Sequence, residues 1–369
     1  MARVAHLTSV HNRDDARIFL KQCRSLAAVG HDVTLIVADG RGDKTRDDVR
    51  IIDVGRPRGR LRRFMQTTRL VRRKAAELRA DIYHLHDPEL LPAGLMLKAS
   101  GKRVVFDSHE DVPRQILSKS YLPRILRRPL AFFVGMIERA IVRRLDHVVA
   151  ATPAIRDKFR RMKVQTTDIN NYPMLGELSV EPSSRRHTSD ICYVGGIVAT
   201  RGIREIVAAL SLTRTQGKLL LAGPFPERQV RAEVATLPGW TKVRELGVVD
   251  RAGVRNVLAS AAAGLVTLHP TPAYLESLPV KMFEYMSAGL PVIASDFPLW
   301  RDIVEGSGCG ICVDPLDPVA IAAAIDSIVE NPDMGRKMGE CGYFAVHERY
   351  NWGAEEKKLL ELYDKLSSI

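Results

Sequence analysis

The stretch ESLPVKMFEYMSAGLPVIAS, residues 276–295, predicts a helix that is followed directly by a buried strand. Pro279 is suited to the first helical position, and Gly289 ends the helix before the apolar strand PVIAS. The helix therefore starts just after Glu276. A helix that leads into a short apolar strand is typical of α/β domains with a parallel sheet.

The start of this helix carries groups that suit an anionic ligand. The free N–H groups of Val280 and Lys281 form an anion site, and the lysine adds a full charge. Glu284, one turn deeper on the same face, can accept hydrogen bonds from two neighbouring hydroxyls, such as a ribose diol. Glu276 would reach past the phosphates toward a sugar. The spacing alone equally allows a surface helix with a Lys281–Glu284 ion pair.

Short apolar strands alternate with helical patterns on both sides of this stretch. The strands are expected at residues 3–10, 31–39, 81–87, 102–111, 147–152, 190–196, 218–223, 242–247 and 263–268. This alternation predicts two doubly wound α/β units in series. Because such sheets bind ligands at the carboxyl ends of their strands, we expect the ligand site in a cleft between the units.

The alternation pauses in a polar segment that contains proline and serine, which we interpret as a linker at residues 173–189. The first unit then covers residues 1–172 and the second covers residues 190–351. From its pattern alone, the last helix, which begins at Trp352, could belong to either unit.

The composition is that of an ordinary soluble globular protein, with 46% hydrophobic and 27% charged residues among 369. No stretch approaches the roughly 18 apolar residues of a membrane span, so we expect a cytoplasmic protein. Five scattered cysteines fit a reducing compartment. Cys309 and Cys312 form a C-x-x-C, for which buried strand cysteines are the simpler interpretation than a redox or metal site.

Positive charge is concentrated in the first half of the chain. Residues 1–170 hold 35 Lys+Arg against 19 Asp+Glu, a net charge of +16, whereas the remainder has 20 against 24, a net charge of −4. Arginine is densest at residues 56–79 and 114–144, and the second stretch mixes it with Leu, Ile, Phe and Met. This pattern favours reversible contact with an anionic membrane surface and a lipid-linked acceptor. A solvated arginine-rich face over a core helix is the alternative.

Taken together, these motifs resemble the retaining glycosyltransferases of family 4. The glutamates of ESLPVKMFE match the E-x7-E signature of that family, and AGLPVIAS matches its continuation. DICYVGGIVATRGI, GCGICVDPLDPVAIAAAI and YNW resemble further segments of the same family. The resemblance implies the GT-B fold, with two Rossmann-like domains that face each other across a cleft. It also implies that the C-terminal helix, residues 352–369, crosses back to an N-terminal acceptor-side domain.

The resemblance further implies roles for individual residues of the donor domain. Glu284 would bind the donor ribose and Glu276 the donor sugar. The diphosphate would lie near the segment Leu278, Pro279, Val280 and Lys281. The backbone at Gly247 and Val248 would contact the base.

One departure concerns the diphosphate site. The family often has an arginine and a lysine where this chain has Gly196 and Arg201. Arg201 can still bind phosphate through its guanidinium fork. Arg17 of the N-terminal domain is a possible substitute for the first cation, as a contact to phosphate or acceptor.

In the first domain, the resemblance places His109 close to the donor sugar, where Glu110 would orient it or contact the acceptor. His84, His86 and Asp87 also end a strand, but no partner ligand pair predicts a metal site there. The chain contains no Asp-x-Asp to hold a divalent ion. We therefore expect no metal and no cofactor, with a nucleoside diphosphate sugar as co-substrate.

The expected reaction is glycosyl transfer from a nucleoside diphosphate sugar, with UDP favoured, to an acceptor hydroxyl, as in the assembly of a bacterial surface polysaccharide. Retention of configuration is implied only by the resemblance. A nucleotide-sugar epimerase of the same fold remains an alternative. A nucleic-acid-binding protein is a second one, although no helix-turn-helix, RNP-like or zinc-finger pattern supports it.

Overall fold

A computed structural model describes residues 1–56, 66–118, 122–178 and 188–368. The chain divides into two compact units, of which unit 1 comprises Met1–Asn171 with Ala354–Ile369 and unit 2 comprises Tyr172–Gly353. Parts of the predicted linker and of the two arginine-rich stretches lie outside the described residues. These parts are residues 57–65, 119–121 and 179–187.

Unit 1 contains one sheet of strands β1 to β8 within the described residues. The strands are β1 Arg3–Leu7, β2 Asp32–Val37, β3 Lys44–Arg46, β4 Val49–Asp53, β5 Ile82–Leu85, β6 Arg103–Ser108, β7 His147–Ala150 and β8 Thr166–Asp168. Their order is β3-β4-β2-β1-β5-β6-β7-β8, and each neighbouring pair is parallel except β3 with β4. The antiparallel β3–β4 pair was not among the predicted strands.

Helices connect the parallel strands of unit 1. They are α1 Arg24–Ala28, which continues a π-helical segment at Ala16–Cys23, α2 Thr68–Leu78, α3 Leu91–Ala99, α4 Val112–Ser118, α5 Arg124–Val142 and α6 Pro153–Arg161. Thr152 begins α6 as a side-chain cap that accepts the Ile155 N–H, and Pro153 occupies the first helical position.

Unit 2 contains the second sheet, in the order β11-β10-β9-β12-β13-β14, and its neighbouring strands are parallel. The strands are β9 Ile191–Val194, β10 Leu219–Ala222, β11 Val243–Gly247, β12 Ala263–Val266, β13 Val292–Ser295 and β14 Gly310–Val313. The helices are α7 Ile203–Leu212, α8 Arg228–Val234, α9 Arg251–Ala259, α10 Val280–Ser287, α11 Pro298–Val304, α12 Pro318–Glu330, α13 Pro332–Glu348 and α14 Trp352–Ser368, the last of which continues into unit 1.

The central strands have apolar residues on both faces because helices cover both sides of each sheet. β10, β12 and β13 are buried along their whole length. Trp300 of α11 is among the largest fully buried side chains of unit 2. The predicted two-unit parallel-sheet fold is thus confirmed.

Each sheet has one point at which the strand order reverses direction. In unit 1 this point lies between β1 and β5, and in unit 2 it lies between β9 and β12. Loops that leave the carboxyl ends of such neighbouring strands run in opposite directions and leave a crevice, which is where doubly wound sheets bind ligands. The segments after these four strands contain or adjoin most of the predicted site residues.

The last helix, α14, packs on unit 1. Glu355 accepts the backbone N–H of Asn170 at 2.8 Å, and the Tyr363 hydroxyl lies 2.8 Å from Nδ1 of His84. One local expectation needs correction. Pro279 caps α10 with extended backbone angles, φ −69° and ψ 120°, and the first helical residue is Val280.

Candidate active site

Helix α10 is fixed against the end of β9 by Tyr285. The Val194 N–H donates to the Tyr285 hydroxyl at 2.8 Å. The ring of Tyr285 lies over Gly264, where a Cβ atom would stand 2.3 Å from Cδ2 of the ring. Lys281 is one turn earlier on the same helix face as Tyr285, so its side chain reaches the loop that follows β9.

Two cations converge on that loop. A Cβ atom built on Gly195 would stand 3.5 Å from Nζ of Lys281, and one built on Gly196 would stand 3.0 Å from Nη1 of Arg201. Nη1 of Arg201 also donates to the Gly196 carbonyl oxygen at 3.1 Å. Of the predicted diphosphate residues, the fold therefore brings Gly196, Arg201 and Lys281 together.

The amine of Lys281 is buried and has no hydrogen-bond acceptor among the described residues. It lies 3.4 Å from the centroid of the Tyr193 ring, a cation–π contact. Burial and the nearby charge of Arg201 lower the pKa of Lys281 well below its usual value. An anion at this position would favour the charged form and compensate for both effects.

Glu284 faces helix α9 and forms an ion pair there. Its Oε1 accepts from Nη1 of Arg251 at 2.8 Å, and Nε of Arg251 donates to Glu177 at 2.7 Å. The sequence interpretation missed Arg251, which is the first residue of its helix. Its proximity to Glu284 arises only from tertiary packing, and no local pattern signals it.

The remaining predicted donor residues lie on the loops that follow β11 and β12. Glu276 is exposed, and its loop is held by the indole N–H of Trp300, which donates to the Ser277 carbonyl oxygen at 2.7 Å. Leu278 packs on the core of unit 2. Val248 is 76% exposed at the end of β11.

Glycines allow the loops after β9, β10 and β11 to approach one another. The Gly223 N–H donates to the Gly247 carbonyl oxygen at 2.7 Å, and a Cβ atom on Gly223 would stand 2.0 Å from the carbonyl oxygen of Gly195. Gly202 precedes α7 as its N-terminal cap with φ 80°, and a Cβ atom there would stand 2.1 Å from the carbonyl oxygen of Thr267. This close approach brings the loops after β9 and β12 together.

In unit 1, His109 is held by a buried carboxylate. Its Nε2 lies 3.1 Å from Oδ2 of Asp107, and 19% of the His109 side chain is exposed. Burial alone would raise the pKa of Asp107, but the charge of Arg17 and the hydrogen bonds from His109 and His86 hold that pKa well below its usual value. Asp107 is therefore an anion that orients the imidazole, as in other Asp–His pairs.

Arg17 is committed to this buried arrangement. Its Nε and Nη2 donate to the two oxygens of Asp107 at 2.9 and 2.7 Å, and Nη1 donates to the Ile169 carbonyl oxygen at 2.7 Å. Because it is only 4% exposed, this geometry offers no support for a contact of Arg17 with phosphate or acceptor. Glu110 is exposed and accepts from the side chain of Gln115 rather than from His109.

A second Asp–His pair lies beside the first. Nδ1 of His11 is 3.0 Å from Oδ1 of Asp87, and the ring centroids of His11 and His109 are 5.0 Å apart. Asp87 also accepts from the Thr8 hydroxyl at 2.8 Å and from the Ser9 N–H at 2.6 Å. The sequence interpretation missed His11, although a histidine just after β1 reaches the same sheet edge as the residues after β5 and β6.

Charge pairing shifts the titration of both members of this pair. Burial by itself would lower the pKa of His11, but the hydrogen bond and charge of Asp87 raise it above its usual value. Burial would raise the pKa of Asp87, and yet the bonds from His11, Ser9 and Thr8 lower it to about 2. Asp87 is thus charged at neutral pH, and His11 has an increased protonated fraction.

Three buried histidines continue inward from His109. Nδ1 of His6 is 2.8 Å from Nε2 of His86, while Nδ1 of His84 bonds the Tyr363 hydroxyl. Burial lowers the pKa of all three imidazoles, so they are neutral. Their nitrogens lie close enough together to hold a metal ion in principle. Most of these nitrogens already have a hydrogen-bond partner, either another of the histidines or Tyr363, so they do not require a metal ion. Nε2 of His84 has no partner among the described residues.

The C-x-x-C cysteines do not join a metal-ligating group within the described ranges. Burial raises the pKa of both the Cys309 and the Cys312 thiol to about 12. Such thiols are protonated at neutral pH and are poor nucleophiles and metal ligands. Among the residues that the structure describes, no helix is both long enough and apolar enough to cross a membrane.

Two family models match this chain. The model of the glycosyl transferase 4-like domain matches residues 16–170, and that of the glycosyl transferases group 1 matches residues 188–331. The first match lies in unit 1 and the second in unit 2.

Individual relatives share about a quarter of their aligned residues with this chain. The chain is 23% identical over 306 residues to phosphatidyl-myo-inositol mannosyltransferase of Mycobacterium leprae, covering 81% of this chain and 77% of that protein. It is 26% identical over 267 residues to alpha-maltose-1-phosphate synthase of Mycolicibacterium smegmatis, covering 63% of this chain and 66% of that protein.

Solved structures share the fold. Sucrose-phosphate synthase from Thermosynechococcus elongatus superposes with a TM-score of 0.80 at 21% identity, and Anabaena HepE in complex with UDP and glucose does so with 0.76 at 14%. Each comparison covers 100% of both chains. The chain therefore belongs to the family 4, or group 1, glycosyltransferases and has their GT-B fold.

Proposed function

We propose that unit 2 binds the nucleoside diphosphate part of a donor sugar and that this glycosyltransferase transfers the sugar to an acceptor hydroxyl. The observation that carries the proposal is the pair of cations at the Gly195–Gly196 turn. Neither Lys281 nor Arg201 forms an ion pair with a carboxylate in the described part of the chain. Two adjacent cations without a counter-ion repel each other, and a bound diphosphate would relieve that repulsion.

UDP is the favoured nucleotide. HepE, which has the same fold, has been solved with UDP and glucose. In this chain, Glu284 would accept the ribose hydroxyls and Glu276 would bind the sugar. The N–H groups at the start of α10, after Leu278 and Pro279, would face the phosphates. The backbone at Gly247 and Val248 would border the base.

The proposed reaction needs no metal ion to neutralise the leaving diphosphate. Lys281, Arg201 and the partial positive charge at the N-terminus of α10 together supply that stabilisation. Such fixed positive groups act where negative charge develops as the bond to the sugar breaks. Removal of divalent ions is therefore expected to leave activity unchanged.

In unit 1, His109 would contribute to the transfer step, with Asp107 holding its imidazole in place. The adjacent His11–Asp87 pair would bind the acceptor. We propose retention of the anomeric configuration, with the departing phosphate taking the proton of the attacking hydroxyl. Under this proposal no carboxylate of the chain acts as a covalent nucleophile.

A lipid-linked acceptor at the inner face of a membrane is the favoured acceptor class, as in surface polysaccharide assembly. Helix α5 supports it, because Ile125, Phe132, Phe133 and Met136 are each more than half exposed beside several arginines. Apolar side chains among cations suit a headgroup boundary with anionic lipids. The protein would then be cytoplasmic and reversibly peripheral.

The test is a transfer assay with radiolabelled UDP-, GDP-, ADP- and dTDP-sugars and a lipid extract from the source organism. The expected result is label in the organic phase with one nucleotide class, together with release of that nucleoside diphosphate. NMR of the product would report the anomeric configuration. Conversion of the nucleotide sugar to an epimer without an acceptor would contradict the proposal.

A further inference from the structure

Unit 1 has an open groove between helices α2, α3 and α5, with a volume of about 520 Å³. This volume lies within the roughly 300–1,000 Å³ of ligand pockets in proteins. Its walls are mainly apolar and include Leu91, Met96, Val112, Val134 and Ile137. Apolar surface of this extent that stays exposed on a unit marks a candidate binding site.

The groove begins beside the Asp–His pairs described above. Pro88 and Glu89, which line it, directly follow Asp87, and Glu89 accepts from the Ser9 hydroxyl at 3.0 Å. Val112 lies three residues after His109. A chain-like ligand in the groove would therefore have one end close to His11 and His109.

The charged side chains at the groove indicate which charge an apolar ligand should carry. Arg69 and Arg72 line it from one face of α2, and neither is paired with a carboxylate in the described ranges. Glu138, in contrast, is only 4% exposed, and its Oε2 forms an ion pair with Nζ of Lys158 at 2.6 Å. Arg69 and Arg72 therefore make the α2 side of the groove positive, and Glu89 lies at the end nearest His11 and His109.

We propose that this groove binds the hydrocarbon chain of a phosphorylated lipid acceptor, whose phosphate pairs with Arg69 and Arg72. The inference rests on the proposed glycosyl transfer and specifies its acceptor. The hydrocarbon lies along Leu91, Met96 and Val134, and the hydroxyl that accepts the sugar extends toward His11 and His109. Arginine suits the phosphate because its guanidinium can donate two hydrogen bonds to it.

The test compares three probes by calorimetry on the intact chain: farnesyl phosphate, farnesol and inorganic phosphate. The lipids are used below the concentration at which they aggregate, and light scattering checks that no aggregates are present. Farnesyl phosphate is expected to bind at least about tenfold more tightly than farnesol, since one charge-assisted hydrogen bond has this effect. Inorganic phosphate alone is expected to show no binding at this groove.

Matched variants locate the site. Val134→Trp fills the groove and is expected to abolish binding of both lipid probes, whereas Val29→Trp, at a 49% exposed position of unit 1 that does not line the groove, leaves binding unchanged. The double variant Arg69→Gln with Arg72→Gln is expected to reduce farnesyl phosphate to the affinity of farnesol. Arg73→Gln, on the exposed side of α2, is the control.

UDP binding is measured on the same samples to separate this inference from the proposed function. Binding of UDP without either lipid probe would overturn the groove assignment alone. Equal binding of farnesyl phosphate to wild type and Val134→Trp would also overturn it, as would equal affinities for farnesol and farnesyl phosphate. If the wild type does not bind UDP, the result would instead count against the donor site of unit 2.

Discussion

Nζ of Lys281 lies 3.4 Å from the ring centroid of Tyr193, buried and without a hydrogen-bond acceptor among the described residues. The lysine comes from the start of α10 and the tyrosine from β9, so the contact joins β9 to the helix that follows β12, and β9 and β12 are the strands that flank the strand-order reversal of unit 2. The aromatic face partly stabilises the charge, and a ligand phosphate would complete that stabilisation.

Substitution of Glu284 tests the proposed ribose contact. Glu284→Gln preserves volume but removes the carboxylate charge that would accept the two hydroxyl hydrogen bonds. We expect UDP to bind roughly tenfold more weakly, consistent with about 1.5–3 kcal/mol for hydrogen bonds to a charged group. In calorimetry, 2′-deoxy-UDP should bind more weakly than UDP to the wild type but about equally to the variant. An unchanged ratio of the two affinities would exclude the ribose assignment.

The His11–Asp87 pair predicts a pH dependence. Since the folded-state pKa of His11 is raised, this pair stabilises the fold fully below the unfolded histidine pKa of about 6.5 and loses that contribution as pH rises through the folded value. Asp87, with a pKa of about 2, stays charged over this range. Asp87→Asn should therefore destabilise unit 1 more at pH 5.5 than at pH 8.5.

Histidine side-chain NMR provides the direct measurement of this effect. The His11 pKa should lie above 6.5 in the wild type and fall in Asp87→Asn. His31, which lies on the opposite end of the sheet at the start of β2, is the internal control and should titrate identically in both proteins. An unshifted His11 would show that Asp87 does not control its protonation.

Gly202 and Gly247 offer a matched test of loop packing. Both have positive φ, 80° and 69°, but a Cβ atom on Gly202 meets the Thr267 carbonyl oxygen at 2.1 Å, while one on Gly247 meets nothing within 4 Å. Gly247→Ala should cost only the roughly 1–2 kcal/mol of a left-handed alanine. Gly202→Ala should cost more and weaken UDP binding. Thermal unfolding would check both, and equal shifts would contradict the close approach.

The exposed aromatic residues of α5 predict membrane association. Phe132→Ser with Phe133→Ser should reduce cosedimentation with anionic liposomes, because it removes apolar area from the proposed bilayer-facing surface. Phe344→Ser removes a similarly exposed phenylalanine from unit 2 and should have no effect. Equal recovery of wild type with anionic and neutral liposomes would argue against an electrostatic contribution.

The sequence predicted most of the repeating strands and, to within one residue, the start of α10, because buried parallel strands and proline or glycine boundaries are local signals. It missed the β3–β4 pair, whose short outer strand Lys44–Arg46 is polar and lacks an apolar run. It also missed Arg251, whose contact with Glu284 depends on how two helices pack. The sequence also showed no sign that Arg17 would be buried in an ion pair with Asp107, because that pairing too depends on tertiary packing.

The most direct test of the donor site is calorimetric titration of UDP, GDP, ADP and dTDP in the presence of EDTA. Wild type is expected to bind one nucleotide, and Lys281→Met should weaken that binding roughly 10- to 100-fold through loss of a charge-assisted hydrogen bond. Lys218→Met, an exposed lysine of the same unit, should bind as wild type does. Absence of binding by wild type, or unchanged binding by Lys281→Met, would contradict the assignment of unit 2 as the nucleotide-sugar site.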